Sequence, residues 1–481
     1  MSVPLPQQES QPLTIEESNR CRSIADNKTT PTYVYFGSRI RNQVGRFVSA
    51  MKAAEFATLH CHYAMLANDN PHLVAEILRA LADFGATPGV LCASVGHVQV
   101  VTRLRELPPN CGVVYSDAGM TPATLRTSLE ALRTRQEITK VYLILNTEGQ
   151  IETFLDSCQS SGIHELVESL GPGFQIGVRI KLASGPGAES EDVDLSKDAW
   201  TDAGLSDAVY NLYHGPWARF GVPVGPSLKQ ALKRLHDCGV RSVGFHMYPG
   251  TNLSGIALLR GFYRRFADVV REALSSQPLE LAFLDVGGGF GINYATGQLS
   301  DPRQLVRCME EVFAPLTPQR ETVLIEPGRT IIGPSAVLVT SVVDQHEEDG
   351  RQFVIVDAGL SHFPRAYIYQ QPHRVVPLFS AESQQTRPVE TFVSGCTMAS
   401  GDFFAGQPSR ERGVSLPRLK RGDLLGILDA GAYGFSMSSS FSGQTRACEV
   451  LACEDGSNKV IRHRQHTDGL MLDVPKWPEL V

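Results

Sequence analysis

The sequence predicts an α/β fold, in which a (β/α)8 barrel of the TIM type is followed by a C-terminal, mostly β sheet domain. Two observations support this prediction. Up to about Gly333, eight short apolar runs alternate with helix-like amphipathic stretches, a pattern typical of parallel βα units that close into a barrel. Beyond Gly333, strand-like runs such as AVLVTSVVD, FVIVDAG and DLLGILDAG follow one another with little helical pattern between them.

The chain begins with a polar tail over residues 1–31, and Thr32–Phe36 then reads as a short strand because it is rich in β-branched and aromatic residues. We predict the barrel over residues 32–332 and the sheet domain over residues 333–481. The strand 32–36 can pair with the sheet domain instead of the barrel.

The barrel strands are predicted at Leu59–Ala64, Gly89–Ala93, Gly112–Tyr115, Val141–Leu145, Ile176–Leu182, Ser242–Met247, Leu281–Val286 and Thr322–Ile325. Stretches such as PHLVAEILRALADFG, with apolar residues three and four positions apart, predict the helices between them. A site in such a barrel lies at the carboxyl ends of its strands. The acid-rich segment 183–217 is long for a barrel loop, and we expect it at that end.

Composition excludes several classes of function. The net charge of −7 and the pI near 6.0 provide no basic surface for nucleic acid or an anionic membrane. The N-terminus lacks a secretory pattern and no apolar stretch is long enough to span a bilayer, so we expect a cytoplasmic protein. Ten scattered cysteines without a Cys-x-x-Cys pair indicate reduced thiols, and no metal site is predicted.

Two motifs indicate a ligand that carries a phosphate and a basic heterocycle. LDVGGGFG (Leu284 to Gly291) follows a predicted strand, and its glycines let backbone N–H groups approach an anion. A glycine-rich turn alone is weak evidence, since a tight turn also requires glycine. IEPGRT (Ile325 to Thr330) ends the eighth predicted strand with a carboxylate and an arginine.

Four further motifs complete a series in a recognisable order: YAMLANDNP (63–71), GFHMYPG (244–250), VSGCTMASGDFF (393–404) and DAGAYGFSMSS (429–439). With them the chain resembles the fold-type-III amino-acid decarboxylases, which depend on pyridoxal 5′-phosphate (PLP). This family includes the diaminopimelate, ornithine, lysine and arginine decarboxylases, and its barrel is alanine-racemase-like. The resemblance spans about Thr32 to Cys453 and implies PLP as the cofactor.

The resemblance implies a role for each matching residue. The phosphate is assigned to Gly287, Gly288, Gly289, Gly328 and Arg329, with Tyr433 reaching it from the sheet domain. Glu326 matches the carboxylate that keeps the pyridine nitrogen protonated, which makes the ring an electron sink. His246 matches the histidine stacked on the ring, and Asp402 matches a loop carboxylate. We take both as catalytic candidates.

The chain departs from the family at its Schiff-base lysine, because Leu66 occupies that position. Other expected polar groups are also replaced: an aspartate by Leu91, a phosphate-binding serine by Pro249 and a cysteine by Met398. Ordinary turnover should therefore be severely impaired. A slow lysine-independent reaction stays open, since decarboxylation itself needs only a properly oriented substrate–cofactor adduct.

Lys181 is a candidate substitute, because it lies two residues after Arg179 on one predicted strand and shares its face. In an apolar barrel mouth its amine could act as a nucleophile, although a lysine at a strand end more often reaches solvent. Arg179 is a substrate-binding candidate. His60 and His62 share a face with Leu66, but two histidines alone are more often core or rim residues than metal ligands.

HFPRAYIY resembles a family segment whose arginine grips a substrate carboxylate, which makes Arg365 and Tyr369 substrate-binding candidates. The family forms its sites at a dimer interface, so a homodimer is implied. Three functions stay open. The first is a decarboxylase-family enzyme that acts on an amino acid or a derivative by atypical chemistry, with PLP bound either covalently or noncovalently. The second is an inactive homologue with a regulatory or partner-binding role, and the third is a barrel pocket reused for another anion without PLP.

Overall fold

The computed structural model describes residues 12–160, 162–182, 189–190, 193–194, 218–253, 255–369, 371, 373–378, 387–406 and 412–470. These residues form two compact units. The barrel unit comprises Arg41–Ile292 and Leu299–Thr330, and the sheet unit comprises Met1–Ile40, Asn293–Gln298 and Ile331–Val481. The acidic segment 183–217 lies almost entirely outside the described residues.

The helices of the described chain are α1 (Ile15–Lys28), α2 (Gly37–Lys52), α3 (Pro71–Asp83), α4 (Val95–Thr102), α5 (Pro122–Arg133), α6 (Glu148–Ser160), α7 (Ile163–Leu170), α8 (Pro226–Asp237), α9 (Ile256–Ser276), α10 (Pro302–Phe313), α11 (Arg329–Ile332) and α12 (Pro364–Ile368). Among the residues described, no helix is both long and apolar enough to cross a membrane.

The strands are β1 (Thr32–Phe36), β2 (Thr58–Cys61), β3 (Tyr63–Ala64), β4 (Gly89–Cys92), β5 (Cys111–Tyr115), β6 (Ile138–Leu145), β7 (Phe174–Lys181), β8 (Glu189–Ser190), β9 (Val193–Asp194), β10 (Val222–Pro223), β11 (Ser242–His246), β12 (Glu280–Asp285), β13 (Ile292–Asn293), β14 (Gln298–Leu299), β15 (Thr322–Ile325), β16 (Ala336–Glu348), β17 (Arg351–Val356), β18 (Val375–Pro377), β19 (Val389–Ser394), β20 (Phe403–Ala405), β21 (Val414–Leu416), β22 (Leu424–Ile427), β23 (Cys448–Ala452) and β24 (Asn458–Arg462).

The barrel sheet has the strand order β2-β15-β12-β11-β7-β6-β5-β4-β3, with every pair parallel. The first predicted strand is broken at His62, so β2 pairs with β15 while β3 pairs with β4. Strands β2 and β3 therefore lie at the two ends of the strand order, and the chain at His62 connects them. The predicted α/β fold with a barrel and a separate sheet domain is confirmed.

Side chains from alternate positions fill the barrel interior. Phe283, Tyr142 and Leu324 are fully buried there and pack together. Glycine makes room for the large rings: a Cβ at Gly244 would lie 2.2 Å from the Phe283 ring, and one at Gly177 would lie 2.8 Å from it. This close packing fixes the strands whose carboxyl ends carry the site.

The barrel helices bury one apolar face each. Helix α10 is capped by Asp301, whose side chain accepts a hydrogen bond from the amide of Arg303. Pro302 occupies the first position of the helix. Its buried residues include Leu305, Met309 and Phe313, which are spaced four apart. The predicted helical periodicity therefore corresponds to a face packed on the barrel.

The sheet unit contains strands in the order β20-β19-β17-β16-β1-β23-β24, with β18, β21 and β22 attached. Strand β1 lies antiparallel to β16 and parallel to β23. The segment that we described as a polar tail contains helix α1, which begins with a capping box formed by Thr14 and Glu17. Only Cys21, Ile24 and Ala25 of this helix are buried, so its sequence is polar although it is ordered.

Candidate active site

The candidate site is built at the carboxyl ends of three neighbouring barrel strands. His246 is the last residue of β11, Asp285 is the last residue of β12, and Glu326 follows β15 directly. All three side chains are buried. Parallel strands place their carboxyl ends on one rim, so residues far apart in the sequence meet here.

These three side chains form a cluster in which one ligand atom from each lies within 4.8 Å of the others. His246 Nε2 is 3.8 Å from Glu326 Oε2. Three buried atoms of the cluster, His246 Nδ1, Asp285 Oδ2 and Glu326 Oε1, have no hydrogen-bond partner. Such atoms are costly to bury unless a ligand satisfies them. The set could also hold a cation, which the sequence did not suggest.

The cluster favours neutral forms of two of its members. Burial, followed by the nearby charge of Glu326, raises the pKa of Asp285 well above its ordinary value. Burial lowers the pKa of His246, although Glu326 opposes that shift. A neutral Asp285 beside Glu326 leaves one oxygen of Glu326 available to accept a hydrogen bond from a protonated heterocycle.

The turn after β12 places backbone N–H groups next to this cluster. Asp285 Oδ1 accepts a hydrogen bond of 2.9 Å from the amide of Gly287, which anchors the turn. Gly287 and Gly289 have φ angles of 66° and 84°, values that favour glycine. A Cβ at Gly288 would lie 2.3 Å from the backbone oxygen of Glu326. The turn therefore packs directly against the segment that carries Glu326.

A second polar group reaches the same rim from the segment after β15. Arg329 Nη2 donates a hydrogen bond of 2.9 Å to Thr251 Oγ1. Pro249, where we placed the family serine, is buried and has no hydroxyl, whereas Thr251 supplies a hydroxyl two residues later. Sequence reasoning missed Thr251. The signal available in the sequence was the pair Gly250–Thr251, in which a residue with a hydroxyl directly follows a glycine.

Gly328 joins this rim to the turn after the first strand. A Cβ at Gly328 would lie 3.0 Å from both the backbone oxygen of Ala64 and the Cβ of Ala67. Leu66 lies in that turn and is 45% exposed, whereas Met65 and Ala67 are fully buried. The position to which we assigned the family lysine is therefore at the rim and exposes an apolar side chain.

Arg179 and Lys181 lie at the end of β7, on the same strand face as Gly177, which faces the barrel interior. The guanidinium of Arg179 lies over the rings of Phe220 and Tyr248, at 5.4 and 5.5 Å from their centroids. Lys181 Nζ donates to the backbone oxygen of Ala218 at 3.2 Å. Arg179 therefore contacts two aromatic rings, whereas the Lys181 amine is hydrogen-bonded to a backbone oxygen.

His60, His62 and Leu91 lie deeper in the barrel. His62 is fully buried, and burial lowers its pKa to about 3, so it is neutral near pH 7. The ring centroids of His60 and His62 are 6.4 Å apart. Leu91 packs against the interior cluster around Phe283.

In the sheet unit, Asp402 is buried and its Oδ2 accepts a 3.0 Å hydrogen bond from the amide of Thr397. Burial raises the pKa of Asp402, although hydrogen bonds from Thr397 and from the Leu360 backbone oppose the shift. Met398, where we placed the family cysteine, is 98% exposed. Tyr433 has a φ of 56° and is partly buried.

Arg365 is almost fully buried in the sheet unit. Its Nη1 lies 2.9 Å from His373 Nε2, its Nη2 donates to Gln371 Oε1 at 2.7 Å, and its guanidinium lies 3.8 Å from the Tyr294 ring centroid. Tyr369, also a predicted substrate contact, is 46% exposed. Within this unit the arginine is therefore bound to other side chains, and its guanidinium also lies 5.6 Å from the ring centroid of the half-exposed Tyr369.

Comparison with known proteins extends over most of the chain. A family model described as the pyridoxal-dependent decarboxylase, C-terminal sheet domain matches residues 32–431. A diaminopimelate decarboxylase of Aquifex aeolicus is 29% identical over 448 residues, covering 93% of this chain and 92% of that protein. One of Campylobacter jejuni is 27% identical over 445 residues, covering 92% of this chain and 96% of that protein.

Solved structures share the fold. The diaminopimelate decarboxylase from M. jannaschii in co-complex with L-lysine has a TM-score of 0.75 at 21% identity, and the match covers 95% of each chain. The lysine/ornithine decarboxylase from Vibrio vulnificus complexed with cadaverine has a TM-score of 0.67 at 20% identity, covering 91% of this chain and 99% of that one.

Proposed function

Because the chain belongs to the pyridoxal-dependent decarboxylase family, we propose that it binds PLP in the barrel and acts on an amino acid or a derivative by chemistry altered at Leu66. The observation that carries this proposal is the buried, unpartnered Oε1 of Glu326 beside a turn in which only glycine fits. A pyridinium nitrogen would satisfy that oxygen, and the turn would receive a phosphate.

The remaining cofactor contacts follow from the same rim. Gly287, Gly288 and Gly289 would offer backbone N–H groups to the phosphate, and the segment of Gly328 and Arg329 would complete its cradle with Thr251. His246, held in the same cluster, would stack on the ring. PLP, when bound, supplies an electron sink for the reacting carbon.

Leu66 changes what the chain can do with that cofactor. A leucine can neither bond covalently to the cofactor nor carry a proton. Lys181 stays a candidate for the missing amine, and its hydrogen bond to Ala218 would have to break first. The reaction that we propose is therefore a decarboxylation slower than that of a lysine-bearing relative, or a related reaction at the same carbon.

The substrate that we propose is an amino acid or an amino-acid-derived amine. Relatives over most of the chain are diaminopimelate decarboxylases, and the similar structures hold L-lysine or cadaverine. Arg179 is the better candidate for a substrate carboxylate, because it pairs with His246 across β7 and β11 at the barrel rim, whereas Arg365 is buried in the sheet unit. Bidentate arginine contacts are the usual means of orienting a carboxylate.

We also propose a homodimer. Tyr367, Ile368, Tyr369 and Met398 are large apolar side chains that the sheet unit exposes, and exposed apolar groups of this kind are typical of interfaces. In a dimer, the loop of Asp402 and the segment of Tyr433 would serve the partner's site. Sedimentation as a monomer at micromolar concentration would contradict this part of the proposal.

The second candidate function is that of an inactive homologue that binds a regulatory partner. It is favoured by Leu66 and Met398, which replace reactive family groups at exposed positions. This candidate predicts that the folded protein is indifferent to PLP and to amino acids.

One experiment separates these two functions. Purified protein is incubated with PLP, dialysed, and examined by absorbance, alongside Glu326→Gln and the exposed control Glu168→Gln. Retained PLP in the parent and the control, with loss in Glu326→Gln, supports the proposed function. CO₂ release from basic amino acids and diaminopimelate then measures turnover. Equal indifference of all three proteins to PLP would refute the first candidate and support the second.

A further inference from the structure

The sheet unit contains a cavity between the end of helix α1 and the segment that follows β24. Its volume is about 270 Å³, near the lower end of the range for small-molecule sites. Four of its eight lining residues carry a basic side chain, and none carries a carboxylate; the basic ones are Lys28, His463, Arg464 and His466. The cavity is therefore a basic site on a chain whose net charge is −7.

Arg464 is fixed at the wall of this cavity. Its Nη2 donates hydrogen bonds to the backbone oxygens of Pro31, at 2.7 Å, and of Thr29, at 3.3 Å. The preceding arginine, Arg462, forms an ion pair of 2.7 Å with Glu449. Among the described residues, Arg464 forms no such pair. Burial lowers the pKa of Arg464, so an anion in the cavity would stabilise its charged form.

The nearest acid does not neutralise this charge by direct contact. Asp357 acts on Arg464 through its charge. Its carboxylate, however, accepts hydrogen bonds from three other groups: the hydroxyls of Thr30 and Thr340, at 2.5 and 2.6 Å, and the amide of Ser341, at 3.0 Å. An added anion would thus meet a guanidinium that no carboxylate of the described chain covers.

The carboxyl end of a helix normally repels anions, because its last carbonyl groups point outward. At the end of α1, the amide of Thr29 donates to the Ala25 oxygen at 2.8 Å, and the Thr29 hydroxyl donates to the Lys28 oxygen at 2.6 Å. The Thr29 oxygen itself accepts the bond from Arg464. Since donors already occupy these oxygens, and Lys28 adds a positive charge in the last turn, the helix end tolerates an anion.

Lys28 and Arg464 act on one point of the cavity although they come from opposite ends of the sequence. Burial raises the pKa of the Cys448 thiol at the cavity wall, while the charges of Arg464 and Lys28 oppose the shift. The described part of the chain places no cluster of histidine, cysteine and acidic side chains here that could hold a metal ion. The cavity is therefore suited to an anion rather than to a cation.

We infer that this cavity is a second ligand site, which binds a small phosphate-bearing anion such as pyrophosphate. Guanidinium and ammonium groups bind phosphate oxygens through charge-assisted hydrogen bonds, here from Arg464 and Lys28. The exposed rings of His463 and His466 supply further donors at the rim. The cavity lies wholly within the sheet unit, so its ligand can bind whether or not the barrel holds PLP.

Isothermal titration calorimetry of the full-length protein with pyrophosphate tests this site. Arg464→Gln should weaken binding about tenfold, because a charge-assisted contact is lost. Lys28→Gln should weaken it about threefold, because exposed ion pairs are weaker. Lys459→Gln, which removes an exposed lysine of β24 outside the cavity, should bind as wild type does. Lys28→Gln decides the question if Arg464→Gln does not fold.

Two further titrations separate this site from the barrel and test the class of ligand. Binding should persist in Gly288→Ala, which alters only the barrel turn, and malonate should bind more weakly than pyrophosphate. Absence of saturable pyrophosphate binding up to about 10 mM, or equal affinity of wild type and both cavity variants, would overturn the inference. Loss of all binding in Gly288→Ala would place the anion in the barrel instead, and malonate bound as tightly as pyrophosphate would refute the phosphate class. None of these results bears on the retention of PLP, which tests the proposed function separately.

Discussion

Substitution of Asp285 by asparagine should stabilise the protein, by an amount that grows with pH. The carboxyl group is fully buried, it lies beside Glu326, and its pKa in the folded state is raised well above the ordinary value. Burial of the charged form therefore opposes folding once the unfolded chain has ionised. Asparagine is neutral at every pH and retains an oxygen for the 2.9 Å hydrogen bond from Gly287.

The sign and size follow from proton linkage. Because the folded pKa is raised, the favourable contribution of the protonated Asp285 is complete below the unfolded pKa of about 3.9 and is lost as pH rises through the folded value. Each pH unit between the unfolded and the folded pKa changes the free energy of unfolding by about 1.4 kcal/mol. Asp285→Asn should therefore be more stable than wild type at pH 7, and its advantage should shrink toward pH 4, where the protonated Asp285 no longer opposes folding.

The assay is urea unfolding of the ligand-free protein, followed by circular dichroism at several values between pH 4 and pH 8. Asp468→Asn, at an exposed position, is the control and should show no growing difference from wild type. If Asp285→Asn is less stable than wild type at pH 7, or if the difference does not change with pH, Asp285 is ionised and the account of the buried cluster is wrong.

Three further substitutions test the site and the barrel. Gly288→Ala should abolish binding of PLP in calorimetry without unfolding the protein, because its Cβ would lie 2.3 Å from the Glu326 backbone oxygen; unchanged affinity would show that the turn is not the cradle. Thr251→Val should weaken binding of inorganic phosphate and PLP about tenfold by removing the hydroxyl bound to Arg329, whereas equal affinity would exclude that hydroxyl. Phe283→Ala should lower the free energy of unfolding by about 3–5 kcal/mol in urea titration, and a loss below about 1 kcal/mol would show that the interior repacks.

The alternation of apolar and amphipathic runs was sufficient to predict the barrel, because the barrel strands are short, mainly apolar runs whose residues are mostly buried or half-buried. Two local features were beyond that pattern. The break at His62 follows from hydrogen bonding, since its amide donates to Ile325 while Met65 donates to Leu91, and neither bond is visible in composition. Helix α1 was missed because it buries only a narrow apolar stripe and otherwise reads as a polar tail.

The motifs located most of the rim, but they did not specify side-chain contacts. Asp285 was not among the predicted site residues, although a charged residue that ends a buried strand beside a glycine turn was a usable signal. Thr251 was missed because the loop shifts its hydroxyl two residues from the position of Pro249. The burial of Arg365 depends on His373, which lies eight residues away along the chain. Such contacts depend on tertiary packing rather than local pattern.

The most direct test of the central claim is a crystal structure of the protein soaked with PLP. The account predicts density for the phosphate at the turn of Gly287 to Gly289 near Arg329, with the ring nitrogen within hydrogen-bond distance of Glu326 and no covalent bond at Leu66. A ring that faces away from Glu326, or a barrel that contains no ligand while the protein is saturated, would contradict it.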